Sequence, residues 1–169
     1  MLDWTTELHD QLDFIWTNQT RPRLEGLTDE EYLWEPVEGC WSIREGGIDW
    51  AWPPPDPAPV TTIAWRIGHI VVGVFGMRSA SHFGGPALDY QTFPWAKTAD
   101  EALRQLDEAY ARWSAGVRGL DAAGLAAPCG PAEGPYADRP MATLVLHINR
   151  EAIHHGAEIA LLRDLWAHR

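Results

Sequence analysis

The segment His147-Ile-Asn-Arg-Glu-Ala-Ile-His-His-Gly-Ala-Glu-Ile-Ala-Leu-Leu-Arg163 combines the apolar spacing of a buried helix with imidazole and carboxylate side chains. It holds three of the seven histidines of the chain. Polar groups on an inward helix face are costly to bury unless they are bonded. A bound divalent metal ion is the simplest explanation. The segment therefore predicts a helix whose inner face carries metal ligands.

Helical spacing selects a pair of ligands within this segment. Residues four apart on a helix share a face and lie about 6 Å apart along the axis. Glu151 and His155 therefore project side by side, and so do His147 and Glu151. One metal ion can be held by such a pair. A Glu-x-x-x-His pair alone is a weak signal, because many helices carry it by chance, so a third ligand from another element is needed.

His69 is the candidate for the third ligand. It lies in an apolar stretch, with Ile67 before it and Ile70 after it. Taken alone, such a histidine is more often a hydrogen-bonded core residue than a ligand. Together with Glu151 and His155, it predicts a metal site formed by two helices with three protein ligands. An open coordination position is typical of a catalytic metal rather than a structural one.

Three further polar residues of the segment have open roles. His147 and His154 either pack or orient a ligand, and His154 is a substitute candidate for His155. Glu158 is either a solvated charge or a partner that orients a ligand imidazole. The sequence identifies no catalytic residue, and these three are the candidates.

The rest of the chain predicts an all-α protein with four long amphipathic helices. They run from Asp3 to about Asn18 or Leu24, from Thr61 or Thr62 to about His82, from Thr98 to about Gly119, and from Pro140 to about Ala167. Shorter helices are expected from Asp29 to before Pro36, after a capping box at Thr28, and near Asp121 to Leu125. Residues 36–60 and 120–139 are expected to be long loops. We predict one four-helix-bundle domain over residues 1–169, with the metal site in its interior.

The loop at residues 36–60 is rich in glycine, proline and tryptophan. A loop of this length within a compact domain is usually functional or disordered, and its tryptophans argue against disorder. We predict that Trp41, Trp50 and Trp52, together with Trp65 of the second helix, wall a substrate pocket. Cys40 in the same loop is either a reactive thiol or a packed small residue.

The overall composition limits the partners. The formal charge of −11 disfavours binding to phosphate backbones, and no Lys/Arg cluster offsets it. No apolar run reaches the ~18–20 residues that span a bilayer, and the first residues lack the pattern of a signal peptide. The two cysteines are far apart in sequence. We expect a soluble cytoplasmic protein with reduced thiols that acts on a small molecule, without a nucleic-acid or membrane partner.

Three segments of the chain resemble the DinB-like (YfiT-like) superfamily of metal-binding four-helix bundles. They are Gly39-Cys-Trp-Ser-Ile-Arg44, Thr61-Thr-Ile-Ala-Trp-Arg-Ile-Gly-His-Ile70, and the stretch from Arg150 to Asp164. The resemblance implies a bundle of up-down-down-up type, in which one histidine of the second helix and a His-x-x-x-His pair of the last helix bind zinc or nickel. In this chain those positions are His69, Glu151 and His155. Homodimers are common in the superfamily, so a homodimer is an expectation as well.

The glutamate at position 151 departs from the usual pair of histidines. This departure resembles the mycothiol-dependent maleylpyruvate isomerases, whose site also uses His, Glu and His. That branch has an additional C-terminal domain, which is not found in the 169 residues here, so isomerase activity is not expected. The resemblance implies a metal-dependent S-transferase that joins a low-molecular-weight thiol, such as mycothiol, to an electrophile. The alternatives are a metal-dependent hydrolase and a non-enzymatic, stress-related metal-binding module.

Overall fold

The first long helix of the computed structural model, which describes residues 2–169, begins beside Asp3. The Asp3 carboxylate accepts hydrogen bonds from the backbone N–H groups of Thr5 and Thr6, which have no partner within the helix. Helix α1 spans Trp4–Ile15, continues as a π-helical turn over Trp16–Thr20, and ends in a 3-10 turn over Pro22–Leu24. The predicted helix is confirmed, and its 3-10 turn begins at Pro22.

The second long helix carries His69. It consists of α3 (Ile63–His69), a π-helical segment (Ile70–Gly76) and α4 (Met77–Phe83). Thr62 is the N-cap, and Gly84 ends the helix in the left-handed conformation at φ 73°. The π-helical segment begins directly after His69, and such segments occur frequently at functional sites.

Two of the remaining helices begin at predicted threonine caps. Helix α2 spans Asp29–Tyr32, α5 spans Ala99–Arg118, α6 spans Ala122–Ala126 and α7 spans Met141–Ala167. The side chains of Thr28 and Thr98 each accept a hydrogen bond from the backbone N–H three residues later. A 3-10 segment over Pro131–Tyr136 precedes α7. It lies within residues that were predicted to form a long loop.

The loop at residues 36–60 contains a small hairpin that the sequence analysis did not predict. Strands β1 (Ile43–Arg44) and β2 (Gly47–Ile48) pair antiparallel. The Asp49 carboxylate closes the hairpin, because it accepts hydrogen bonds from the backbone N–H of Ser42 and from Arg44. Strands of two residues carry no detectable alternation, so this part of the loop could not be recognised by period.

Contacts between the helices establish their directions. Between the first long helix and α7, Leu8 contacts Asn149 and Arg23 contacts Asp164. Between the second long helix and α7, Arg66 contacts Glu158 and His69 contacts His155. Between the first long helix and α5, Thr5 contacts Leu120 and Arg21 contacts Asp107. Helix α1 is therefore parallel to α7 and antiparallel to α5, while the second helix is antiparallel to α7. The predicted all-α bundle of up-down-down-up type is confirmed.

Aromatic side chains fill the centre of the bundle. Trp113 and Phe75 are buried, and Trp16 stacks on Tyr110 with ring centroids 4.0 Å apart. Stacked and edge-on aromatic pairs add to the stabilisation that comes from burying their area. In the part of the chain that the structure describes, no helix combines the length and the apolar character needed to cross a bilayer.

Candidate metal centre

His69 is held in one orientation by a residue from a loop. Its Nδ1 lies 2.9 Å from the hydroxyl oxygen of Tyr90. A Cβ atom at Gly73 would lie 2.1 Å from that oxygen, so the hydroxyl occupies space that only a glycine leaves free. With Nδ1 donating to Tyr90, the Nε2 lone pair of His69 is available for another partner.

One of the four predicted pocket tryptophans, Trp65, lies beside His69, and Trp41 lies beside Trp65. Trp65 stacks on the imidazole with ring centroids 5.2 Å apart, and Trp41 lies 5.9 Å from Trp65. Trp50 and Trp52 are 64% and 83% exposed. The role of all four as a pocket wall stays a prediction.

His155 approaches His69 from the opposite helix. The two rings meet edge to face, with centroids 4.8 Å apart and planes at 87°. Nδ1 of His155 lies 2.7 Å from Oε2 of Glu158, and its Nε2 lies 3.6 Å from Oε2 of Glu151. The structure thus places Glu158 where it orients the imidazole and Glu151 beside the second ring nitrogen.

Arg66 belongs to this cluster and was missed by the sequence analysis. Its Nε lies 3.1 Å from Oε2 of Glu158, and its Nη1 lies 3.5 Å from Nδ1 of His155. Burial lowers the pKa of Arg66. The signal in the sequence was an arginine that lies one turn before His69 in an otherwise apolar helix. Its contact fixes the Glu158 carboxylate, which in turn holds His155.

The electrostatics of the cluster keep both imidazoles neutral. The pKa of His69 falls to about 4, first through burial and then through the positive charges that His155, Arg66 and Arg78 carry or gain. Burial also lowers the pKa of His155, against the opposing effect of Glu158. A neutral imidazole has the free lone pair that a metal ion requires. The donor set of two neutral imidazoles and a nearby carboxylate fits a divalent ion such as zinc or nickel.

A second group of possible ligands shares His155. One ligand atom from each of His154, His155 and Glu158 lies within 4.8 Å of the others. His154 is exposed, and its Nε2 lies 3.5 Å from Oε1 of Glu158. This group includes the substitute candidate that the sequence left open.

His147 lies one turn before Glu151, as its spacing requires. Its Nδ1 is 3.7 Å from Oε1 of Glu151 and 3.2 Å from Nη2 of Arg150. It therefore contacts the proposed ligand Glu151 and lies apart from the pair of facing imidazoles.

One comparison with known proteins gives a match. A family model described as the DinB superfamily matches residues 48–159, which is more than half of the chain and includes His69, Glu151 and His155. No curated protein and no solved structure matches this chain.

Proposed function

The chain belongs to the DinB superfamily, and we propose that within this family it is a metal-dependent thiol S-transferase. In this proposal His69, Glu151 and His155 hold one divalent ion, zinc or nickel. The substrates are a low-molecular-weight thiol, similar to mycothiol, and a small electrophile. The S–H bond of the thiol breaks and the sulfur forms a bond to the electrophilic carbon. In an addition to a C=C bond the π bond breaks and the neighbouring carbon takes the proton, and in a substitution the bond to the leaving group breaks and that group departs with its electron pair.

The facing imidazoles of His69 and His155 are the observation that supports the metal site. Each uses its Nδ1 on a fixed partner, Tyr90 in one case and Glu158 in the other. Each keeps its Nε2 for a ligand bond. Metal-binding histidines characteristically donate their other ring N–H to such an oxygen, which fixes the tautomer and the ring orientation. Glu151 adds an oxygen near Nε2 of His155.

The cysteines of the chain favour a separate thiol substrate. Cys40 and Cys129 are both free and buried. The Cys40 thiol lies 2.9 Å from the carbonyl oxygen of Val37, and burial raises the pKa of Cys129. Neither is placed as a nucleophile, since the thiolate is the reactive form. A bound divalent ion would stabilise the thiolate of a small thiol at neutral pH.

The test separates metal binding from thiol transfer. Chelator-treated protein is loaded with zinc or nickel, its metal content is measured, and a generic electrophile is supplied with and without a series of small thiols. We expect turnover that requires both the metal and a thiol. Turnover without a thiol would instead support the hydrolase, and a protein that retains no metal after loading would contradict the whole proposal.

Two matched variants test the choice of ligands. His69→Ala is expected to lose the metal, whereas His154→Ala is expected to retain it, because His154 is exposed and belongs only to the second ligand group. The opposite result would assign the metal to His154, His155 and Glu158. We also propose a cytoplasmic location, where small thiols stay reduced, and a homodimer, which size-exclusion chromatography with light scattering would test.

A further inference from the structure

A cavity of about 560 Å³ lies beside the proposed metal centre, between the segment Pro131–Tyr136, helix α4 and the first turns of α7. This volume is in the range of small-molecule sites. Arg78, Arg139 and Arg150 line the cavity, against Glu133 as the one acidic lining residue. A locally positive cavity is unexpected in a chain with a formal charge of −11 and only 13 lysines and arginines.

Within residues 2–169, Glu133 forms ion pairs with His82 and Arg78 and with neither Arg139 nor Arg150. Its side chain is 8% exposed, with Oε1 2.9 Å from Nε2 of His82 and Oε2 3.4 Å from Nε of Arg78. The buried carboxylate attaches the segment Pro131–Tyr136 to helix α4 and offsets the charge of Arg78. Specific contacts therefore hold this wall of the cavity in place.

Arg139 and Arg150 remain without a carboxylate partner within residues 2–169. Most arginines of the chain form ion pairs, including Arg21, Arg44, Arg66 and Arg163. Arg150 instead contacts the His147 ring. A guanidinium presents paired N–H donors that match the two oxygens of a carboxylate. Two such groups on one cavity indicate an anionic ligand.

The cavity borders the metal centre through both long helices. On α7, His147 lines the cavity and lies 3.7 Å from Glu151. On α4, Arg78 lines it and is close enough for its charge to act on His69. His147, which lines the cavity, lies one helical turn, about 5 Å along the axis, before Glu151. That separation suits a substrate with a charged end and a reactive end.

We propose that this cavity binds the carboxylate of an organic acid through Arg139 and Arg150, and that the acid is the electrophilic substrate. The catalytic role rests on the proposed function, but the binding itself does not. The apolar lining by Leu144 and Pro135 suits a carbon skeleton. The nearby Glu133 carboxylate disfavours the higher charge of a phosphate.

Succinate is the probe, and isothermal titration calorimetry of the full chain is the measurement. Wild-type protein should bind succinate and not the uncharged succinamide. Arg139→Gln and Arg150→Gln should each weaken succinate binding about tenfold, which is the effect of losing one charge-assisted contact. Arg104→Gln is the matched control, because Arg104 is exposed on α5 and also lacks a carboxylate partner within residues 2–169. It should bind succinate as the wild type does, and thermal melting should show all three variants folded.

Three results would overturn this inference. They are no succinate binding by the wild type, succinate binding as tight as that of the wild type by a variant that combines Arg139→Gln and Arg150→Gln, or tighter binding of inorganic phosphate than of succinate. Each titration is run on chelator-treated and on zinc-loaded protein, and the metal content is measured in the same samples. Succinate binding to protein that takes up no zinc would uphold the cavity and reject the metal-dependent transferase. Zinc uptake without succinate binding in either form would reject the carboxylate site and uphold the metal centre.

Discussion

Two histidine clusters in this bundle differ in whether both ring nitrogens make hydrogen bonds to protein groups. His9 on α1 is 8% exposed, and its Nε2 lies 2.8 Å from the hydroxyl of Ser114 and accepts a hydrogen bond from Arg118 at 3.0 Å. Its Nδ1 lies 3.4 Å from Asp10. Both nitrogens are engaged, so this ring is a structural member of a polar network.

The imidazoles of His69 and His155 are half-buried and buried, respectively, and each makes its protein hydrogen bond through Nδ1. The two rings meet edge to face across two helices, and Nε2 of His155 lies 3.6 Å from the Glu151 carboxylate. Burial and residue type therefore do not separate the two clusters. They differ in whether the second ring nitrogen lies within hydrogen-bond distance of a protein group.

The sharpest test of this contrast compares His69→Ala with His9→Ala. We expect His69→Ala to reduce zinc affinity by more than about 100-fold, because loss of a ligand should exceed the ~10–100-fold cost of losing an orienting group. His9→Ala should keep the metal and lose only stability, since it leaves Ser114 and Arg118 without their partner. Metal stoichiometry after zinc loading and dialysis measures both. Equal metal loss in the two variants would remove the distinction between the clusters.

The pH dependence of stability should report how far the surroundings of His69 hold its ring neutral. The pKa of His69 is about 4 in the folded chain, below the ordinary value of 6.5. The unfolded chain therefore binds more protons between these values, and stability that is present above pH 6.5 is lost as the pH falls towards 4. The loss assigned to this residue is at most about 3 kcal/mol.

Urea unfolding of chelator-treated protein at several pH values measures this loss. His69→Gln should show a shallower decline than the wild type between pH 6.5 and 4. Identical curves for the wild type and His69→Gln would show that His69 is not held neutral by its surroundings.

A smaller effect is expected from Tyr90→Phe, which removes the hydroxyl that holds His69 and keeps the ring. Zinc affinity should fall about tenfold, the lower end of the range for an orienting partner. Competition with a chromophoric chelator gives the affinity. Tyr110→Phe, which removes a hydroxyl that donates to Asp13 near the His9 cluster, is the control and should leave the affinity unchanged.

Much of this fold follows from local sequence. Three helices begin at threonine caps, at Thr28, Thr62 and Thr98, and the long helices follow apolar spacing. Both signals act over a few residues. The facing of His69 and His155 was also predictable, because each lies on a long helix with a recognisable inner face. Tyr90 was not, because it reaches His69 from a loop whose path no short-range pattern describes.

The cavity shows the same limit of sequence reasoning. Arg139 precedes α7 and Arg150 lies within it, and neither spacing nor composition brings them to one surface together with Arg78. Their convergence depends on the buried Glu133, which attaches the segment Pro131–Tyr136 to α4. Gly73 is a related case. Its sequence context indicates only weaker helix propensity, whereas in the fold it makes room for the Tyr90 hydroxyl.

The π-helical segment Ile70–Gly76 separates His69 from Arg78 on one continuous helix. Such a segment is equivalent to one residue inserted into an α-helix. Because the wider turn accommodates this extra residue, winding the same residues as a regular α-helix would rotate the remainder of the helix by about 100° about its axis. His69 would keep its facing, while Arg78 would turn away from the cavity. The winding of this helix thus couples the alignment of the proposed metal centre to that of the proposed anion site.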